Sequence, residues 1–141
     1  MKIDLSTVNW LAVLVAGIAT FVLGGLWYGM FFKKLWQQLH GYSDEKVKEM
    51  QKSKPPPVFL GTMIVSYLVM ATVLSVLMGA IGIVTVVGGV TLGLLIWLGF
   101  AAAIAMTDWI SSSRRLASYG LDLAYQLAFL VMMGAILGGW R

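Results

Sequence analysis

Asp122, Tyr125 and Gln126 stand three and four residues apart near the start of the last apolar stretch of this 141-residue chain, which sets a carboxylate, a phenol and an amide on one side of a helix. Ser118, one turn earlier, extends the stripe. Ionisable groups inside a membrane are expensive and face protein or water, so such a stripe suits a path for protons or a small solute. Charge pairing is the other chemistry open to these residues, because Asp108, Arg114, Arg115 and Asp122 make a net-neutral group around a short turn. Depth decides between the two. Leu123 to Trp140 is 18 residues, just enough to span a bilayer, which puts Asp122 at the membrane surface. Thr107, the last uncharged residue before Asp108, puts that carboxylate at the same surface. An interfacial clasp is therefore expected, at about 0–1 kcal/mol per water-screened pair, with a buried, proton-carrying Asp122 as its alternative.

Other chemistries find little support. His40 is the single histidine, and one imidazole with no cysteine and scattered carboxylates makes no metal site and has no nucleophile beside it. Ser111-Ser112-Ser113 lacks the spacing of a nucleophile elbow and suits a solvated turn. The pairs Gly24-Gly25, Gly88-Gly89 and Gly138-Gly139 have neither the preceding strand nor the following lysine of a phosphate loop. Absence of cysteine excludes disulfides, thiolate metal centres and cysteine nucleophiles. No enzyme, cofactor or metal site is expected. The net charge of +4 comes mainly from one loop and lacks basic residues interleaved with aromatics, so membrane lipids rather than nucleic acid are the expected partners.

Apolar helices must position these residues. No charge occurs from Leu5 to Phe32, 28 residues, or from Pro55 to Thr107, 53 residues. The whole is 60% hydrophobic and 11% charged, with mean hydropathy +0.87, against roughly 25% charged residues in soluble domains. A helix crosses hydrocarbon in about 20 residues. We therefore expect an all-α membrane protein, one domain over 1–141, with four transmembrane helices in a bundle of two hairpins at about 9–32, 58–78, 89–109 and 116–140. Ser6 or Thr7 is available to cap the first span, and Lys33-Lys34 stops it. The loop 33–57 carries a short amphipathic helix from about Asp44 to Lys52, with Ser43 as cap and the lysines at its end suiting the helix dipole. Pro55-Pro56-Pro57 forms a stiff extended bridge, and Gly79, Gly82, Gly88 and Gly89 bracket a turn over residues 83–87. Met78-Gly79-Ala80-Ile81 returns as Met133-Gly134-Ala135-Ile136, a match short enough to arise by chance in apolar sequence.

Orientation follows from basic residues. Lys33, Lys34, Lys46, Lys48, Lys52, Lys54, Arg114 and Arg115 fall on one side, against Lys2 and Arg141 on the other, so the hairpin loops are expected in the cytoplasm and both termini outside. Each span also has a row of small residues: Ala12-Ala16-Thr20-Gly24, Ala71-Ser75-Gly79, Gly99-Ala103-Thr107 and Gly120-Ala124-Ala128, with Gly25 and Gly29 adding a second face to the first. Such rows let helices approach closely in lipid. They serve packing within the bundle or assembly with a second copy or a larger membrane complex.

The combination Asn9-Trp10, Leu23-Gly24-Gly25-Leu26-Trp27-Tyr28-Gly29, Trp97-Leu98-Gly99-Phe100 and Met133-Gly134-Ala135-Ile136-Leu137-Gly138 resembles the small prokaryotic membrane family catalogued as domain of unknown function 1761. The resemblance covers nearly the whole chain. It implies a four-span protein of a bacterial or archaeal plasma membrane, and supplies no activity, ligand or catalytic residue. Small multidrug exporters match in length and span number but place an essential carboxylate in the first helix, where residues 5–32 have none. Fluoride-channel-like dual-topology proteins need a weak charge bias. Two functions remain: a non-enzymatic scaffold or accessory subunit packing through small-residue faces, and a small transporter or channel using Asp122, Tyr125 and Gln126.

Overall fold

A computed structural model describes residues 1–53 and 55–141; Lys54, one of the basic residues of the first loop, lies outside the described residues. After a short 3-10 turn at Leu5–Thr7 come six helices among the described residues: α1 (Trp10–Phe31), α2 (Lys33–His40), α3 (Asp44–Ser53), α4 (Pro56–Ile81), α5 (Val86–Ser111) and α6 (Leu116–Gly139). No strand occurs among those residues. α1, α4, α5 and α6, at 22, 26, 26 and 24 residues, are long and apolar enough to cross a membrane. The chain is an all-helical, multi-pass membrane protein.

The helix ends show which signals prevail. Asn9 caps α1, its Oδ1 accepting the Ala12 N–H at 3.1 Å, because it is the last polar residue before the apolar run. Ser6 and Thr7, the expected caps, lie instead in the preceding turn, where the Ser6 hydroxyl and N–H both donate to Asp4 and hold its exposed carboxyl below the usual range. Lys33-Lys34 does not end helical structure. α2 follows at once and stops only at Gly41, whose φ of +67° is the left-handed cap conformation. Ser43 caps α3 as expected, its Oγ accepting the Lys46 N–H at 3.2 Å. The prolines do not form an extended bridge. Pro55 is extended, while Pro56 and Pro57 open α4, where a missing N–H breaks no helical bond. The α4–α5 turn is also shorter than expected: Gly82, at φ +74°, ends α4, and Thr85 caps α5 through its Oγ. Gly88 and Gly89 are therefore helical.

α6 is the central element. Its buried face runs Ser118, Leu121, Tyr125, Phe129, Met133 and Leu137 and meets α1 and α4. Ala12, Ala16 and Thr20 of α1 are fully buried and pack on α4, where Ala71, Leu74, Ser75 and Met78 are buried in turn. These two small-residue rows do the packing expected of them. The rows Gly99-Ala103-Thr107 on α5 and Gly120-Ala124 on α6 are exposed, with Ala128 half-buried. α5 and α6 meet instead through Gly89 and Gly93 facing Gly134, Gly138 and the Leu130 carbonyl, so closely that a Cβ on Gly89, Gly134 or Gly138 would fall on the opposite backbone. Glycines matched across two helices set this contact, which a row along one helix does not reveal. The repeated tetrapeptide shares only its first role: Met78 and Met133 are both fully buried, but Gly79 faces Arg141 and Thr7 whereas Gly134 faces Gly89.

α1 and α5 each contain a widened π-helical turn, at Trp27–Phe31 and Trp97–Ala102, and both turns begin on tryptophan. Each directs an aromatic side chain at the same stretch of α6. Tyr28 reaches Asp122, and Trp97 Nε1 donates to the Leu123 carbonyl at 2.9 Å.

Candidate functional site: a polar cluster at the connection end of the bundle

Asp122 lies six residues into α6, about 9 Å along its axis. Its two carboxylate oxygens have different partners. The Tyr28 hydroxyl donates to Oδ1 at 2.7 Å, and Arg114 Nη2 donates to Oδ2 at 3.1 Å, the one ion pair among the described residues. The same Nη2 donates to Ser118 Oγ at 2.9 Å. Asp122 is therefore held by α1 and by the α5–α6 turn together.

His40, at the end of α2, joins the cluster from a third side. Its Nδ1 lies 2.9 Å from the Trp36 carbonyl, which can only accept, so in the neutral ring Nδ1 carries the hydrogen and Nε2 accepts from Ser118 Oγ at 3.2 Å. Trp36 and Tyr42 pack on the imidazole at 5.1 and 5.4 Å between centroids. A hydroxyl donating to an imidazole whose other nitrogen is anchored has the connectivity of a nucleophile and its base. Ser118 is only 2% exposed, however, and its oxygen is already capped by Arg114, which gives the pair a positioning role.

Arg114 also lies over the Tyr119 ring, 4.5 Å from its centroid. The Tyr119 hydroxyl donates to Asp108 Oδ2 and, having one hydrogen, accepts from Ser112 Oγ at 2.8 Å. Asp108, Arg114 and Asp122 thus belong to one network, with Tyr119 as the link. Arg115 does not join it. Its backbone is the extended cap of α6, and among the described residues its side chain makes no hydrogen bond or ion pair. Of the two adjacent arginines, only Arg114 is on the turn side that faces Asp122.

The stripe expected on α6 is divided. Tyr125 turns into the core, its hydroxyl donating to the Thr20 carbonyl at 3.1 Å and lying 2.9 Å from the Tyr67 hydroxyl. Gln126 is half-buried and makes no side-chain hydrogen bond among the described residues. Tyr28, His40 and Tyr119 are the members that the sequence does not point to. Tyr28 and His40 lie 94 and 78 residues from their partners, and the only local sign was that each is a polar aromatic next to a glycine at a helix end.

What this cluster can do follows from its bonds: it ties α1, α2, α5 and α6 together at one end. Arg114 and Asp122 retain 41% and 31% exposure, so water screens their attraction. In a double-mutant cycle, Arg114→Gln and Asp122→Asn should couple by about 0–1 kcal/mol in unfolding free energy. Coupling of several kcal/mol would mean that the pair is buried within the assembled protein.

The family described as "Protein of unknown function (DUF1761)" matches over residues 11–138. No curated protein and no solved structure matches the chain.

Proposed function

The chain belongs to the DUF1761 family, and on that premise, which carries no activity with it, we propose that it is a non-enzymatic membrane scaffold or accessory subunit that associates through small-residue helix faces. The observation that carries this reading is the environment of Gly25 and Gly29 on α1 and Gly99 on α5, where a Cβ would meet nothing within 4 Å beyond its chain neighbours and its own helix backbone. Gly25 and Gly29 continue the outward stripe Leu11, Ile18 and Val22. Glycine in a helix costs about 0.5–1 kcal/mol relative to alanine, and no side-chain or partner-helix contact within the chain requires it at these positions. A second helix seated there would. We take the partner to be a second copy of the chain or a subunit of a larger membrane complex.

The alternative, a small transporter or channel using Asp122, Tyr125 and Gln126, has less support. Asp122 is engaged by Tyr28 and Arg114, and farther along α6 the bundle is filled by Tyr67, Tyr125 and Phe129, whose rings lie 5.1–5.8 Å apart in edge contacts. For orientation, the eight basic residues at the connection end support loops in the cytoplasm and termini outside, in a plasma membrane.

Gly25→Leu and Gly29→Leu should each weaken association by about tenfold, equivalent to ~1.4 kcal/mol, by holding the helices apart. Mass measurement in mild detergent or lipid discs reads the effect. Wild-type protein that is monomeric throughout and brings down no membrane partner would refute the scaffold reading.

A further inference from the structure

No residue of α2 is buried, and among the described residues its side-chain hydrogen bonds to the rest of the bundle all run through His40. The ring borders a cleft of about 590 Å³ between α2 and the α5–α6 turn, lined also by Tyr42, Ser113, Arg114, Arg115 and Ser118. With its hydrogen on Nδ1, held by the Trp36 carbonyl, the neutral ring turns the Nε2 lone pair toward two donors, Ser118 Oγ at 3.2 Å and Arg114 Nη2 at 3.5 Å. These surroundings suit an acceptor. An added proton would remove the lone pair and set a cationic ring 3.5 Å from a guanidinium, well inside the screening length of about 8 Å at physiological salt.

We propose that His40 is a proton-operated latch: neutral, it docks α2 on α6, and protonated, it releases α2 from the bundle. Charge decides the sign. Ser118 can turn its hydroxyl and accept from a protonated ring, so that hydrogen bond is not what is lost, whereas Arg114 and Arg115 keep their charge. Of the carboxylates on the surrounding elements, Asp122 is shared between Arg114 and Tyr28 of α1, Asp108 on α5 is taken by Tyr119, and Asp44 on α3 accepts from Gln37. None of them lines the cleft. Lys33 and Lys34 add like charge on α2 itself, and the other charges of α3 are exposed. Two features favour an imidazolium: the Trp36 and Tyr42 rings, 5.1 and 5.4 Å away, and the C-terminal end of α2, where His40 is the last residue. Both belong to α2 and the residues just after it and travel with His40 when the helix leaves, so neither opposes release. The two arginines stay behind on the turn. Docking is therefore favoured at higher pH and lost as pH falls. Because α2 follows directly on the π-turn that sets Tyr28 against Asp122, its release acts next to the polar cluster.

The test uses the full chain in phosphatidylcholine discs. It contains no cysteine and no second histidine, so spin labels at Gln38→Cys on α2 and Ala124→Cys on α6, both exposed positions, form a unique pair. With His40 present, the distance between the labels should lengthen from about pH 7.5 to about pH 5.5, across the range in which imidazole changes charge. The ratio of released to docked helix should rise about tenfold, within the limit of about a hundredfold that one proton sets over two pH units. His40→Gln, which cannot gain a charge, should give the same distances at both pH values, and His40→Lys should be released at both. Arg114→Gln keeps the histidine, removes the nearest opposing cation and should shrink the response. Unchanged distances with His40 present, an undiminished response in His40→Gln or in Arg114→Gln, or a docked α2 in His40→Lys would each overturn the proposal.

Discussion

Gly134→Ala should destabilise the protein by about 1–3 kcal/mol or more, although alanine in a helix interior ordinarily gains about 0.8–1.0 kcal/mol over glycine. The reversal of sign is the point of the experiment. The added Cβ would fall on the Gly89 carbonyl and stand 3.2 Å from the Val90 nitrogen, both main-chain atoms that no rotamer change can clear. α5 and α6 would have to separate, exposing the contact that Gly89, Gly93, Gly134 and Gly138 jointly make. Gly99→Ala, where nothing lies within 4 Å of the new methyl, is the internal control and should be neutral or stabilising. Unfolding of the two variants in matched micelles, followed by helical signal, separates the outcomes. A Gly134→Ala protein as stable as its Gly99→Ala counterpart would show that the helices do not touch at this crossing.

Much of the architecture was legible because lipid makes it so. A backbone in hydrocarbon must satisfy its own hydrogen bonds, so long uncharged runs become helices and their length sets the count. Four helices long and apolar enough to cross a membrane accordingly run Trp10–Phe31, Pro56–Ile81, Val86–Ser111 and Leu116–Gly139. What failed was local punctuation. Lys33-Lys34 marks the end of the apolar run but carries no instruction to stop a helix, and the left-handed Gly41 seven residues later does. Three consecutive prolines suggest extended chain, yet two of them occupy helix positions that have no N–H to lose. The site divides in the same way. Asp108, Arg114 and Asp122 could be grouped from sequence because one short turn joins them, whereas Tyr28 and His40 arrive through the packing of α1 and α2 on α6. Gly25, Gly29, Gly99 and Gly120 look the same in sequence as Gly89 and Gly134, and only the partner helix tells the two sets apart.

Tyr125→Ala is expected to have the largest effect of any single substitution outside the glycine crossing, because its ring closes the core between three helices. It lies 6.0 Å from Trp27, 5.2 Å from Tyr28 and 5.1 Å from Phe129, and it is 5% exposed. Truncating a buried aromatic to alanine costs about 3–5 kcal/mol, part of it for the cavity left behind. Tyr125→Phe keeps the packing and isolates the hydroxyl. That group donates its one hydrogen to the Thr20 carbonyl, so the second contact must be supplied by the Tyr67 hydroxyl, which is left buried and unpaired when the partner is removed. The loss should be about 1–3 kcal/mol. Tyr67→Phe combined with Tyr125→Phe should then cost less than the two separate losses added together, since no orphaned hydroxyl remains between the helices. The same variants discriminate between the functional readings. If Tyr125 is a packing residue, Tyr125→Phe lowers the unfolding free energy and leaves ion or proton flux through proteoliposomes at the background level of protein-free vesicles. If it belongs to a path leading inward from Asp122, wild-type vesicles carry a flux above that background, and both Tyr125→Phe and Asp122→Asn diminish it. A flux of that kind would remove the scaffold reading, because a core closed by Tyr67, Tyr125 and Phe129 has to open for anything to pass.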